Sequence, residues 1–227
     1  MWYDDAQVLV EDGSVISLSI EDKPTEIVHW DHITYKPTIA TGTIRSIEAF
    51  DFGTFTAEVM LPKGYGLWPS FWLTGAGNWP PEIDLMEAWS NNDRYFRLFR
   101  AQPPYIYPSW RTTTNVHFNE ASLWHNSIGS RNVSIFKQFK NPAENWIEYK
   151  CVWSPDFINF YANGKLVRAI TGEDCWKLTN NLVNPENGYK MNVIFNIWCE
   201  NPKEKKVQSI TPMRIRNFKY IPENGRS

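Results

Sequence analysis

The chain has 227 residues, a formal net charge of −2, and 42% hydrophobic and 15% aromatic content, with 12 Trp, 10 Tyr and 13 Phe. That length suits one all-β domain over residues 1–227, with enough apolar side chains to bury a sizeable core. The nearly balanced charge lacks the basic footprint of a nucleic-acid partner, and no apolar run reaches a membrane-spanning length, which argues against membrane insertion.

In chain order, Val8 to Val10 and Val15 to Ile20 flank Glu11-Asp12-Gly13, a hairpin signal with Asp-Gly at its turn. Phe55 to Leu61 alternates and stops at Pro62, and Leu67 to Leu73 is aromatic and apolar and ends near Gly75 and Gly77. Glu82 to Ala88 follows two prolines. Trp89 to Arg111 is polar, rich in Arg, Tyr and Pro, and without period, so it is expected to be a long loop of the kind that carries function. Thr112 to Phe118, Ile147 to Trp153 and Ile158 to Tyr161 are β-rich, and Asn163-Gly164 turns into Lys165 to Ile170, the clearest hairpin in the chain. Met191 to Trp198 and Met213 to Tyr220 close the series, and only Glu173 to Leu182 reads as briefly helical. Strands separated by turns, with no helix long enough to cover a sheet, predict an antiparallel β-sandwich or jelly roll.

Cys151, Cys175 and Cys199 are odd in number and lack zinc spacing, so they are expected as buried thiols. Met1-Trp2-Tyr3-Asp4-Asp5 lacks the basic and apolar regions of a leader.

Glu82-Ile83-Asp84-Leu85-Met86-Glu87 places three carboxylates close together, between Trp79-Pro80-Pro81 and Trp89. Alternate strand residues share a face, so Glu82 and Asp84 point together while Glu87 would point away. A β-bulge near Leu85-Met86 would return Glu87 to their face. The two Glu backbones would then lie roughly 13 Å apart at ~3.3 Å per step, and long side chains leaning together approach the ~5 Å of a retaining glycosidase pair. The charge of Asp84 between them would keep a neighbouring acid protonated near neutral pH. Two carboxyls beside flat aromatic rings are what cleavage of a glycosidic bond requires, whereas the same spelling on a solvated strand would carry no chemistry.

The wider sequence resembles glycoside hydrolase family 16, whose E-x-D-x-x-E motif in its bulged form is spelled by Glu82 to Glu87. Thr41-Gly42-Thr43-Ile44-Arg45-Ser46, Phe52-Gly53-Thr54-Phe55, Leu61-Pro62-Lys63-Gly64 and Gly66-Leu67-Trp68-Pro69-Ser70-Phe71-Trp72-Leu73 resemble the preceding strands of that family in order. Trp153-Ser154-Pro155-Asp156 with Phe160-Tyr161-Ala162-Asn163-Gly164-Lys165-Leu166-Val167 is similar to its later hairpin. The resemblance implies a β-jelly-roll sandwich of two antiparallel sheets with a concave cleft, and endo-acting, retaining cleavage of a β-linked polysaccharide. It implies Glu82 as nucleophile, Asp84 as its electrostatic helper and Glu87 as general acid/base. Trp72 and Trp79 resemble sugar-stacking residues of the cleft, with Trp68 and Arg45 as weaker carry-overs. Trp198-Cys199-Glu200 stands where the family commonly has Gly-Gly, which makes Trp198 a further candidate for substrate contact.

A β-1,3- or mixed-linkage β-1,3/1,4-glucan is the first expectation for substrate. A galactan or host O-glycan, sulfated or not, is the alternative, motivated by Arg94, Arg97 and Arg100 and by the missing Gly-Gly. A non-catalytic sugar-binding module is the rival from another class, since fold does not fix function. Transglycosylation is open. His117 is expected on a strand beside the carboxylates, as a partner of Asp84 or of a sugar hydroxyl, or as a structural residue. His29 and His32 read as surface residues without a third metal ligand. Asn132-Val133-Ser134 spells a glycosylation acceptor. No cofactor is expected, and the sequence is silent on a structural calcium ion. A monomer is expected, secreted or periplasmic, because its polymer substrate would be too large to enter a cell.

Overall fold

The computed structural model describes residues 2–28, 34–77, 79–89, 111–117, 132–133, 141–172, 190–199 and 208–223. Among them, two large antiparallel sheets pack into a sandwich. Their strands in chain order are β1 (Val8–Glu11), β2 (Val15–Leu18), β3 (Thr43–Arg45), β4 (Gly53–Met60), β5 (Leu67–Gly75), β6 (Glu82–Trp89), β7 (Arg111–His117), β8 (Asn132–Val133), β9 (Ile147–Trp153), β10 (Phe157–Ala162), β11 (Lys165–Thr171), β12 (Met191–Cys199) and β13 (Met213–Pro222). The inner sheet runs β8-β7-β6-β5-β12-β3, and the outer sheet runs β11-β10-β9-β4-β13-β2-β1. This is the expected all-β sandwich, and the expected strands agree with the observed ones to within a few residues at their ends.

Alternation decides which residues enter the core. In β4, Phe55, Ala57 and Val59 are buried while their neighbours are partly exposed, and Ile147, Tyr149, Cys151 and Trp153 do the same in β9. In the inner sheet, Leu67, Phe71 and Leu73 of β5 and Met191, Val193, Phe195 and Ile197 of β12 supply the opposing layer. Phe71 and Phe195 are register partners and stack with ring centroids 4.2 Å apart. Each large side chain withdrawn from water here contributes roughly 1.5–3 kcal/mol. The second face of the inner sheet is thereby left for polar and aromatic side chains, and this face carries the site.

The turns follow their sequence signals. Asp12-Gly13 and Asn163-Gly164 have φ of 46° and 69°, and 45° and 76°, the paired left-handed conformation of tight hairpins. At Gly42 the N-terminal segment passes so close that a Cβ would stand 2.4 Å from the Gln7 carbonyl oxygen. Cys151 and Cys199 are buried thiols, as expected. No helix among the described residues is long and apolar enough to cross a membrane. The expected helix at 173–182, most of the 89–111 loop with Arg94, Arg97 and Arg100, Cys175, His29, His32, Phe118 and Ser134 of the glycosylation signal lie outside the described residues.

Candidate active site

β6 carries the carboxylates, and its pairing shows how they come to one face. Against β5, Trp72 pairs with Asp84, Phe71 with Met86 and Ser70 with Glu87, so one residue of β6 is surplus. Against β7, Asp84 pairs with Asn115 and Glu87 with Thr113. Both neighbours therefore place the bulge at Leu85-Met86, where the residue spacing requires it. Leu85 and Met86 are both buried. The bulge puts Glu87 level with Ser70 and Thr113, on the face that also bears Glu82 and Asp84.

The same face collects side chains from every neighbouring strand. His117 is the partner of Glu82, and its Nε2 lies 3.4 Å from Glu82 Oε1 and 3.5 Å from Asp84 Oδ2. Asn115 Nδ2 is 3.1 Å from the same His117 nitrogen. Trp79 Nε1 donates to Glu82 Oε2 at 2.7 Å, and Trp68 Nε1 donates to Glu87 Oε1 at 3.1 Å. Trp72 lies beside Asp84 but donates its Nε1 to Asn196 Oδ1 at 2.9 Å. Arg45, at the far edge, donates from Nη2 to Asn192 Oδ1 at 2.7 Å. Trp198 pairs in register with Trp68, is 37% exposed, and meets Tyr3 edge-on with centroids 6.3 Å apart. Trp79 is 42% exposed.

All nine residues singled out from the sequence thus lie on or at the rim of one sheet face. They are not equally close to the carboxylates. Glu82, Asp84, Glu87, His117, Trp68, Trp72 and Trp79 form one cluster, whereas Trp198 stands two strands from β6 and Arg45 three. Asn115, Asn196 and Tyr3 were not singled out. The two asparagines had a visible signal, a polar residue on alternate positions of an otherwise β-forming run; Tyr3 had none.

Electrostatics separates the carboxyls. Burial raises the pKa of Asp84 well above the carboxylate range, the charge of Glu82 and a hydrogen bond with it add to the rise, and Arg168 opposes it. Desolvation also raises the pKa of Glu87 well above its ordinary value, reinforced by the charges of Asp84 and Glu82 and opposed by His117 and by the Trp68 hydrogen bond. Asp84 Oδ2 is buried and accepts no hydrogen bond from the described residues. Such a cluster keeps a proton on one carboxyl near neutral pH while leaving an acceptor a few ångströms away, which is the requirement for acid and nucleophile side by side. Glu82, Asp84 and His117 also bring one ligand atom each within 4.8 Å of one another, a spacing at which a cation would compete with that proton for the same atoms.

The model of Glycosyl hydrolases family 16 matches residues 2–213. A galactan endo-β-1,3-galactanase of Flammulina velutipes is 33% identical over 97 residues, 39% of this chain and 39% of that protein. An endo-1,3-1,4-β-glycanase of Rhizobium meliloti is 27% identical over 169 residues, 74% of this chain and 32% of that protein. The chain therefore spans well under two thirds of the length of these relatives. Among solved structures, an endo-β-1,3-glucanase from Pyrococcus furiosus superposes with a TM-score of 0.65 at 19% identity, covering 97% of this chain and 80% of that one. With the family model matched along nearly its whole length, this chain belongs to glycosyl hydrolases family 16.

Proposed function

We propose that this chain is an endo-acting, retaining β-glycanase that cuts internal bonds of a β-1,3- or mixed-linkage β-1,3/1,4-glucan. The observation that carries the proposal is the bulge at Leu85-Met86, which sets three carboxyls on one face beside three indole rings. Glu82 attacks the anomeric carbon and forms a glycosyl ester while Glu87 gives its proton to the departing glycosidic oxygen. Glu87, now a carboxylate, takes a proton from water, and that water displaces Glu82 with net retention. Asp84 holds Glu82 through their shared hydrogen bond, and burial first of all keeps the proton on Glu87. Trp72 and Trp79 offer ring faces to the sugars, with Trp68, His117, Arg45 and Trp198 extending the contact along the cleft. No cofactor enters this chemistry, and the protein acts as a monomer on a polymer met outside the cell or in the periplasm.

The glucan reading draws support from the Rhizobium and Pyrococcus relatives. A β-galactan is the second reading, and the Flammulina galactanase, the relative of higher identity over its shorter stretch, is the observation that favours it. The test is release of reducing ends from laminarin, lichenan, agarose, porphyran, carrageenans and mucin O-glycans, with Glu82→Gln alongside. Short oligosaccharides from laminarin or lichenan, lost in the variant, are expected. Products from a galactan alone would move the assignment to the second reading. Binding of an uncut polymer, unchanged in Glu82→Gln, would replace it with a non-catalytic module.

A further inference from the structure

The core contains a guanidinium. Arg168 lies on β11, the edge strand of the outer sheet, opposite the buried Phe160, and is itself 7% exposed. Its side chain crosses to the inner sheet, where Nη1 donates to the Thr114 carbonyl oxygen at 2.7 Å. Thr114 is the residue of β7 between Asn115, the partner of Asp84, and Thr113, the partner of Glu87. It therefore stands opposite the bulge itself. A bulge interrupts the ladder of backbone hydrogen bonds, and a buried carbonyl beside one requires a donor from elsewhere. Arg168 is that donor, supplied from the other side of the sandwich.

We infer that Arg168 is a positioning residue for the carboxylate cluster, holding β7 against the bulge and placing a fixed positive charge beneath Asp84. This rests on the reading of Glu82, Asp84 and Glu87 given above. Taking a guanidinium out of water is costly, and an apolar side chain would fill the space between two sheets with less penalty. The two tasks account for the arginine. One is mechanical, because Thr114 is continuous with Asn115 and His117, which reach the carboxylates on the other face. The other is electrostatic. The titratable groups facing Asp84 among the described residues are Glu82 and Glu87 from its own strand, His117 from β7 and Arg168 from the outer sheet; β5 offers Trp72 and Trp68, which do not titrate. Arg168 is thus the one permanent cation in a group otherwise made of three acids and a histidine.

Two variants of the full chain separate the tasks. Arg168→Lys keeps the charge and loses the forked donor, and Arg168→Gln keeps an N–H donor and loses the charge. Carboxyl titration followed by carbon NMR, which needs no activity, is read beside kcat and KM against pH on the cleaved polymer. In Arg168→Gln the titration of the cluster and the acid limb of kcat are expected to move up by about one pH unit. In Arg168→Lys both stay in place while kcat falls severalfold and KM changes by less than twofold. Wild-type titration and wild-type kcat in the folded variants would overturn the inference. If Arg168→Gln does not fold, Arg168→Lys decides it: an unchanged kcat overturns it, and a reduced kcat with the acid limb in place supports it. A wild-type chain that cuts no polymer, with a titration that still follows the charge at position 168, would sink the proposed function and leave this inference standing.

Discussion

Deleting Leu85 should leave the fold and the carboxylate face in place. The argument comes from register. With Leu85 gone, Asp84, Met86 and Glu87 would pair consecutively with Trp72, Phe71 and Ser70, and the single remaining residue between Asp84 and Glu87 would stand opposite Thr114. Glu87 would then be two residues from Asp84 and share its face by plain alternation. The deletion forfeits one buried side chain, worth roughly 1.5–3 kcal/mol in burial and up to ~5 with an uncollapsed cavity. Closing the ladder returns about 1 kcal/mol. A net loss of about 1–4 kcal/mol lowers the Tm by roughly 3–15 °C in a chain of this size. Activity should fall by no more than about a hundredfold, the scale set by a displacement of about 1 Å in a reacting group. Thermal melting and the reducing-end assay measure both, with deletion of Ile83 as the comparison. That second deletion forces a carboxylate into the place of Ile83, opposite the buried Leu73, and should abolish folding. If deleting Leu85 proves as damaging as deleting Ile83, the view of the bulge as one surplus residue between two intact registers is wrong.

Three further outcomes follow from the same geometry. Trp68→Phe removes the N–H that favours the ionised form of Glu87, so its pKa rises further and the basic limb of kcat/KM moves to higher pH; an unmoved limb in a folded variant would show that Glu87 does not control it. Glu87→Gln should raise the Tm at pH 7. A folded-state pKa above the unfolded value means that the stability linked to that proton is complete below about pH 4.3 and declines as pH climbs through the folded pKa, so the gain should vanish towards pH 4, and a gain that persists there would have another origin. Trp79→Ala should raise KM at least tenfold and change the Tm by only a few degrees, since the ring is 42% exposed; a large loss of stability would make it a structural residue.

The parts of this fold that were legible in the sequence are those written in local chemistry. Asp12-Gly13 and Asn163-Gly164 adopt positive φ because few other pairs tolerate it, so their hairpins could be read from dipeptides. The bulge could be read because three carboxylates at that spacing share a face in no other way. His117 was placed beside the carboxylates as expected, but its contact with Glu82 is set by pairing between two strands, while Asn115 reaches it from two residues back on the same strand. Arg168 was not legible at all. On β11 it reads as an ordinary charged residue next to exposed Leu166, and only the stacking of one sheet upon the other brings it beneath Thr114. Tyr3 is similar, since its meeting with Trp198 depends on the N-terminal strand lying alongside Ile39–Thr41.

The excess of tryptophan near the carboxylates also takes on a physical sense that composition alone did not provide. Trp68 and Trp79 each give an indole N–H to one glutamate, while Trp72, the register partner of Asp84, gives its own to Asn196 and leaves Asp84 to Glu82, His117 and Arg168. The Trp68 N–H lowers the proton affinity of Glu87 against its burial, whereas burial and the charge of Glu82 raise the pKa of Asp84, to which Trp72 gives no such donor. The placing of these donors is therefore part of how Asp84 and Glu87 come to differ. Each indole also has a flat apolar face, so one residue type can restrain a carboxylate by its edge and support a sugar by its ring. Replacing Trp68 by phenylalanine keeps the second contribution and removes the first, which is why that variant, rather than alanine, separates the binding of the polymer from the tuning of Glu87.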